Sequence, residues 1–354
     1  MKDKILALHI LLLLILATLI GLLLGKLLYS PTTPTGRILF WSKSHTNPYE
    51  NSYFILNGDG NHIQSIGNYI GPPAWSPTGD KLALGCFSNN YGFIDDGKIF
   101  LCILDMNTLP DIWSPISESY NRFPRTLFTI TLPDSCTPVR RDDVYWGISS
   151  LSWSRDGDRL AVVCDYYPLD SSLSYTEVCI IRIDGEMNCW DSSISKHVTH
   201  AVWSPTRDVL AISADAKIRI VNFDGSNPID VADGFNPEWS PDGKHIAFIR
   251  SERMDTKTMD YGRWGIAQID PNGENEKWLF LPGLENNINV PIGLYSCDSI
   301  SWSPDGHFIT FAAPYFDMEG PSSLFSLNVE TGEIKFLVDR HVIQGDYSDP
   351  DWGP

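Results

Sequence analysis

The residues of this chain best placed for chemistry stand one and three positions before a set of recurring tryptophans. Side chains alternate along a strand, so these two positions share one face of the strand that leads to each tryptophan. The candidate site residues on that face are His200, Asn236, Glu238, Ser299, Asp349 and Asp351. Their carboxylates predict an anionic channel mouth, suited to a small cation or a basic peptide. The competing interpretation is a channel lined by solvated polar groups that bind no ligand.

No catalytic or cofactor motif accompanies these residues. The sequence lacks Gly-x-Ser-x-Gly, His-Glu-x-x-His and a phosphate-binding glycine loop. His197 and His200 stand three apart, but no further ligand follows at a metal spacing, so we predict neither a metal site nor a cofactor. We therefore expect a protein that is not an enzyme.

The phrase around each tryptophan predicts the elements that position the candidate residues. It reads "WSPDG" in its fullest form and recurs at Trp75, Trp153, Trp203, Trp239, Trp302 and Trp352. Pro presets φ, Asp bonds nearby amides and Gly accepts positive φ, which together close a tight hairpin turn. Further β-rich runs follow each turn, so every unit has four antiparallel strands. Such units repeated around an axis form a β-propeller, with the tryptophans wedged between sheets.

The two ends of the chain complete one unit between them. Only three strand-like runs precede Trp75, so the first unit lacks its tryptophan strand, and the terminal "DPDWGP" supplies it. The sequence therefore predicts an all-β, six-bladed β-propeller over residues 37–354, closed by the C-terminal strand.

The segment "WSPDGKHIAFI" followed by "IAQIDPNGENEKWLF" resembles the WD40-like repeats of the TolB-type propeller family. It is also similar to the propellers of prolyl oligopeptidases. The resemblance covers residues 37–354 and implies a six-bladed propeller. Because this fold serves many binding roles, the resemblance implies no single activity.

An apolar segment near the N-terminus predicts a membrane anchor. Residues 5–25 contain no charged side chain and lie between Lys4 and Lys26, which matches the roughly 20 residues that cross a bilayer as a helix. A cleaved signal peptide is disfavoured, since its apolar region is typically about 7 to 15 residues long. We predict an N-terminal transmembrane helix in residues 1–28, a linker in 29–36, and a single-pass protein with the propeller on the extracytoplasmic side.

The net charge narrows the choice of partners. The chain carries 26 Lys and Arg against 44 Asp and Glu, a formal charge of −18. This balance disfavours nucleic acid, which is bound by clustered cations. Nearly all long connections follow the second or fourth strand of a blade, which places them on one face; the exception is the insertion after residue 105, on the opposite face. Long loops of this kind carry binding residues. We predict that this long-loop face binds or scaffolds a protein or peptide. The alternative is a propeller enzyme, a hydrolase or lyase acting on a glycan or peptide.

Seven cysteines add one further expectation. Cys86 with Cys102, and Cys164 with Cys179, fall on neighbouring strands of one blade and could form disulfides in an oxidising compartment. Buried free thiols explain the same positions equally well. Cys189 is expected near a loop between blades.

Overall fold

Twenty-four strands make up the part of the chain that the computed structural model describes. That part comprises residues 34–44, 52–67, 69–87, 99–108, 125–132, 147–166, 175–191, 197–252, 264–281, 299–314, 322–338 and 345–354. Internal contacts divide the chain into two units, Met1–Pro34 and Thr35–Pro354. The predicted membrane helix lies outside the described residues. Within them, no helix is both long and apolar enough to cross a bilayer.

The strands form six sheets of four strands each, as predicted. The first blade contains β24 (Gly345–Gly353), β1 (Arg37–Ser44), β2 (Ser52–Asn57) and β3 (Gln64–Gly67). The second contains β4 (Ile70–Trp75), β5 (Lys81–Phe87), β6 (Ile99–Asp105) and β7 (Arg125–Thr131), with a short 3-10 helix at Met106–Thr108. The third contains β8 (Ile148–Trp153), β9 (Arg159–Tyr166), β10 (Tyr175–Arg182) and β11 (Met187–Asp191).

The remaining three blades follow the same order. The fourth contains β12 (Val198–Trp203), β13 (Val209–Ala214), β14 (Lys217–Asn222) and β15 (Ile229–Asp233). The fifth contains β16 (Phe235–Trp239), β17 (Ile246–Ser251), β18 (Trp264–Ile269) and β19 (Lys277–Phe280). The sixth contains β20 (Ser299–Trp302), β21 (Phe308–Pro314), β22 (Ser322–Asn328) and β23 (Ile334–Val338). Every neighbouring pair is antiparallel, as expected of strands joined by hairpins.

The turn after each tryptophan shows why the repeated phrase has its composition. In the fifth blade, the Gly243 N–H donates to the Ser240 carbonyl at 2.8 Å, and Gly243 has a φ of +68°. The Ser240 hydroxyl donates to Asp242 Oδ1 at 2.7 Å and accepts from the His245 N–H at 3.0 Å. Glycine is favoured at the positive φ, and Ser and Asp satisfy polar groups that the turn would otherwise leave unpaired.

The first and last strands of the ring pair as predicted. β1 and β24 are antiparallel, with Ile38 opposite Trp352 and Leu39 opposite Asp351. The C-terminal strand thus becomes the innermost strand of the blade whose other strands come from the N-terminal end of the propeller. This pairing confirms the closed six-bladed ring.

The repeated tryptophans wedge between neighbouring blades. All six are buried, between 4% and 7% exposed. The Trp153 indole N–H donates to the Ala74 carbonyl at 2.9 Å, and that of Trp239 donates to the Val202 carbonyl at 3.3 Å. In each case the acceptor directly precedes the tryptophan of the preceding blade. Each such indole therefore contributes both buried apolar area and a fixed hydrogen bond to the contact between blades.

The cysteine pairing is partly as predicted. Cys86 and Cys102 form a disulfide between β5 and β6. The pairing of Cys164 with Cys179 is wrong, because Cys179 bonds Cys189 on β11, directly opposite it at a Cα separation of 4.0 Å. Cys189 was expected near a loop, but it lies within the strand. Cys164 is disulfide-bonded as well, to a partner other than Cys179.

Candidate functional site

Irregularities near the starts of the inner strands shape the centre of the propeller. Asn236 and Asp349, each three residues before a tryptophan, adopt positive φ angles of 49°. The register between β16 and β17 shifts between Phe235 and Glu238. Bulges of this kind re-aim the side chains beside them, and Asn and Asp tolerate the left-handed conformation better than most residues.

The inner strands enclose a central cavity of about 70 Å³, which has room for a few water molecules. It is lined by Pro72, Pro73, Ser149, Ser150, Leu151, His200, Val202, Glu238, Ser299, Ile300, Asp349, Pro350 and Asp351. Five of the six candidate residues are therefore brought together, and Asn236 is not among the lining residues. The lining draws on the inner strands of all six blades.

Asp351 links the inner strands on either side of the ring closure. Its Oδ2 accepts the Trp75 backbone N–H at 2.7 Å. At the equivalent position of two other blades a serine hydroxyl oxygen accepts in the same way: Ser152 Oγ from the Trp203 N–H at 3.0 Å, and Ser301 Oγ from the Trp352 N–H at 2.9 Å. Asp351 thus combines a structural contact with a carboxyl group that faces the cavity. Burial raises its pKa to about 7, against the opposing effect of its hydrogen bonds.

Glu238 occupies the same position of the fifth blade without a structural contact of that kind. Among the described residues, its carboxyl group has no hydrogen-bond partner. Burial raises its pKa well above the usual range, and the nearby charge of Asp351 raises it further. The two carboxyl groups are therefore close enough to oppose each other's ionisation.

Asp349 contributes a third carboxyl group, held by its neighbours on the inner strands. The Ser348 hydroxyl donates to its Oδ2 at 2.9 Å, and its own N–H donates to Ser299 Oγ at 3.1 Å. Burial raises the pKa of Asp349. Its charge in turn helps burial to raise the pKa of Tyr53, whose hydroxyl donates to the Gly71 carbonyl.

His200 brings a neutral imidazole to the cavity. Its Nδ1 is buried and has no hydrogen-bond partner among the described residues, and the same is true of the hydroxyl of Ser213, which lies opposite it on β13. Burial lowers the pKa of His200 to about 4, so the ring is uncharged at neutral pH. An uncharged imidazole offers one donor and one acceptor.

One acidic residue beside the cavity was missed by the sequence analysis. Asp165, at the end of β9, lies within 3.4 Å of the hydroxyl of the lining residue Ser149, and burial raises its pKa to about 6. Ser149 stands four positions before Trp153, outside the positions one and three before each tryptophan from which the candidates came, and Asp165 lies on the next strand. An acidic residue closing an otherwise apolar second strand was the available signal.

The distances between the oxygen, nitrogen and sulfur atoms that could bind a metal ion show where such an ion would fit. In the described part of the chain, the group of three candidate ligands that lie within 4.8 Å of one another is Glu177, Cys179 and Cys189. Its two sulfur atoms share a disulfide, so they offer no thiolate. No three ligand atoms of the cavity acids and His200 lie within 4.8 Å of one another. Ligands of one metal ion must lie close together, because each stands only about 2.0–2.6 Å from the ion.

Comparison with solved structures supports the fold. TolB from Acinetobacter baumannii matches over 92% of this chain and 68% of its own, with a TM-score of 0.62 and 15% identity. A chain of a nidogen/laminin complex matches over 89% and 98%, with a TM-score of 0.54 and 11% identity. An oligogalacturonate lyase from Vibrio parahaemolyticus matches over 82% and 72%, with a TM-score of 0.50 and 14% identity. At these identities the likeness concerns the fold alone.

Sequence comparison adds one distant relative. Dipeptidyl-peptidase 5 of Porphyromonas gingivalis is 28% identical over 161 residues, which is 44% of this chain and only 20% of that enzyme. No family model matches. The chain is therefore identified by its architecture, as a six-bladed β-propeller whose fold is similar to that of TolB.

Proposed function

We propose that this protein is a membrane-anchored, extracytoplasmic binding module that uses the loop side of its central cavity to bind a protein or peptide. The observation that carries the proposal is the buried Nδ1 of His200, which has no hydrogen-bond partner among the described residues and lies on the cavity lining with Glu238 and Asp351. Leaving a buried polar group unpaired is costly, so such a group is a good candidate for completion by a ligand.

The cysteines support the extracytoplasmic location. All five cysteines of the described residues are disulfide-bonded, and disulfides persist mainly in oxidising compartments. The apolar segment of residues 5–25 is long enough to serve as the anchor. Protease treatment of membrane vesicles of known orientation tests this arrangement. Digestion of the propeller in right-side-out vesicles is expected, and digestion only in inside-out vesicles would contradict it.

The binding role is supported by the shape of the cavity and by its fold relatives. A cavity of about 70 Å³ accepts a side chain or a chain end rather than a whole domain. The nidogen/laminin structure is that of a complex and shares this fold. The test is the binding of a random-sequence peptide pool to the full chain in lipid nanodiscs. We expect binding that Glu238→Gln reduces, and equal binding by both proteins would exclude this cavity as the site.

The alternative is a hydrolase or lyase acting on a peptide or glycan. It is favoured by the pairing of Glu238 with Asp351, since burial keeps such carboxylic acids protonated and able to act as general acids. The partial match to a peptidase points in the same direction. Turnover of a peptide and oligosaccharide panel, lost in Glu238→Gln, would establish this alternative in place of the binding role.

A further inference from the structure

The central cavity contains unused acceptors and few free donors. His200 Nδ1 is buried without a hydrogen-bond partner in the described part of the chain. The Glu238 carboxyl group also lines the cavity, and Asp351 accepts from the Trp75 N–H and from the Ser301 hydroxyl. The inner-strand amides of Trp75, Trp203 and Trp352 already donate to side chains of the neighbouring blade. The lining includes neither Lys nor Arg. With several carboxyl groups and no Lys or Arg in the lining, the cavity suits a cationic donor better than a carboxylate or a phosphate, because a cation can pair with the carboxyl groups once they ionise.

The arrangement of the acceptors selects among cations. They project from three inner strands, β12, β16 and β24, and no three of the described acids and histidines around the cavity approach one another as closely as a bare metal ion requires. The NH₃⁺ group carries three donors on a tetrahedral nitrogen, larger than a metal ion and able to reach several separated acceptors. The small volume admits one such group at the end of a chain.

This inference rests on the proposed function. We propose that the cavity recognises a primary ammonium group of a peptide, either that of a lysine side chain or that of the amino terminus. Glu238 and Asp351 hold the group, with His200 as a neutral acceptor. The cation replaces the protons that the carboxylic acids otherwise retain, so binding releases protons to solvent.

Because binding releases protons, the affinity should increase as the pH rises. The titratable groups that face the cavity or lie beside it are Glu238, Asp349 and Asp351, with His200, Tyr53 and Asp165 around them. A bound cation favours the ionised form of each carboxyl group. Because burial holds the pKa of Asp351 near 7, affinity should rise with pH from 6 to 8. If binding releases one proton, the affinity increases by up to about tenfold per pH unit below that pKa.

The test compares two forms of one dye-labelled, random-sequence peptide pool, untreated or with every amine acetylated. Binding to the full chain in nanodiscs is measured by fluorescence anisotropy at pH 6, 7 and 8. We expect the untreated pool to bind at least about tenfold more tightly than the acetylated pool and to gain affinity with pH. Glu238→Gln should remove most of the preference for the untreated pool, since it keeps the shape of the side chain and loses the charge, whereas the pH dependence that comes from Asp351 should remain in part. Glu186→Gln, an exposed acid in a turn, is the matched control and should change neither.

The outcomes separate the two proposals. Equal binding of both pools, lost in Glu238→Gln, overturns the ammonium assignment and leaves peptide binding in place. Binding of neither pool overturns both. Unchanged binding by Glu238→Gln, with a folded protein confirmed by circular dichroism, moves the ammonium site elsewhere and also overturns the assignment.

Discussion

Asp351 offers the sharpest test of how the cavity and the ring closure are related. Its carboxyl group accepts the Trp75 amide at 2.7 Å, a task that Ser152 and Ser301 perform in other blades. Replacing Asp351 with Ser should therefore keep the hydrogen bond and remove the charge. Replacing it with Ala should remove both, and leaving a buried amide unpaired costs about 1–3 kcal/mol.

The charge of Asp351 changes the free energy of unfolding in a direction that its pKa determines. Burial raises the pKa of Asp351 from 3.8 to about 7 in the folded protein, so between these values the folded state holds a proton that the unfolded chain has lost. Stability is then highest below pH 4 and falls as pH rises toward 7. The full effect of this change in pKa is about 4 kcal/mol. Because Asp351 is partly exposed and lines the cavity, we expect about 2 kcal/mol in practice.

Urea unfolding of the full chain, followed by tryptophan fluorescence from pH 4 to 8, measures both contributions. Asp351→Ser should match the wild type near pH 4 and exceed its free energy of unfolding by about 2 kcal/mol at pH 8. Asp351→Ala should fall below Asp351→Ser by about 1–3 kcal/mol at every pH. A difference between Asp351→Ser and wild type that does not change with pH would refute the assigned burial cost. Equal stability of the two variants would refute the hydrogen bond across the closure.

Two further predictions concern the packing between and within blades. Trp153→Ala should lower the free energy of unfolding by about 3–5 kcal/mol, because its indole is only 6% exposed, whereas Ile229→Ala, at a position 62% exposed, should change it by about 0.5 kcal/mol or less. Gly225 and Gly185 occupy equivalent turns at positive φ, but an added Cβ meets the Trp190 ring at 2.8 Å only at Gly225. Gly185→Ala should therefore lower the free energy of unfolding by about 1 kcal/mol, and Gly225→Ala should lower it by clearly more. Urea unfolding measures both, and equal losses would contradict the contact with Trp190.

Much of the fold could be predicted because its unit is local and repeated. The turn after each tryptophan depends on a few adjacent residues, such as Ser240, Asp242 and Gly243, whose backbone preferences act without help from distant parts of the chain. The pairing of the C-terminal strand with the strand that begins at Arg37 followed from counting strands. The cysteine partner of Cys179 did not, because it depended on placing Cys189 within a strand and in register.

The sequence by itself determined the repeat, the closure of the ring and the face of the inner strands on which the candidate residues stand. Only the tertiary structure decided which of them meet. Glu238 and Asp351 hold equivalent places in different blades, yet the Asp351 carboxyl group accepts the Trp75 N–H, and the Glu238 carboxyl group makes no such contact within the described residues. The difference arises because other strands supply the burial, the neighbouring charge and the backbone amide that each carboxyl group meets. The local sequence around a residue does not show which groups of other blades will lie beside it.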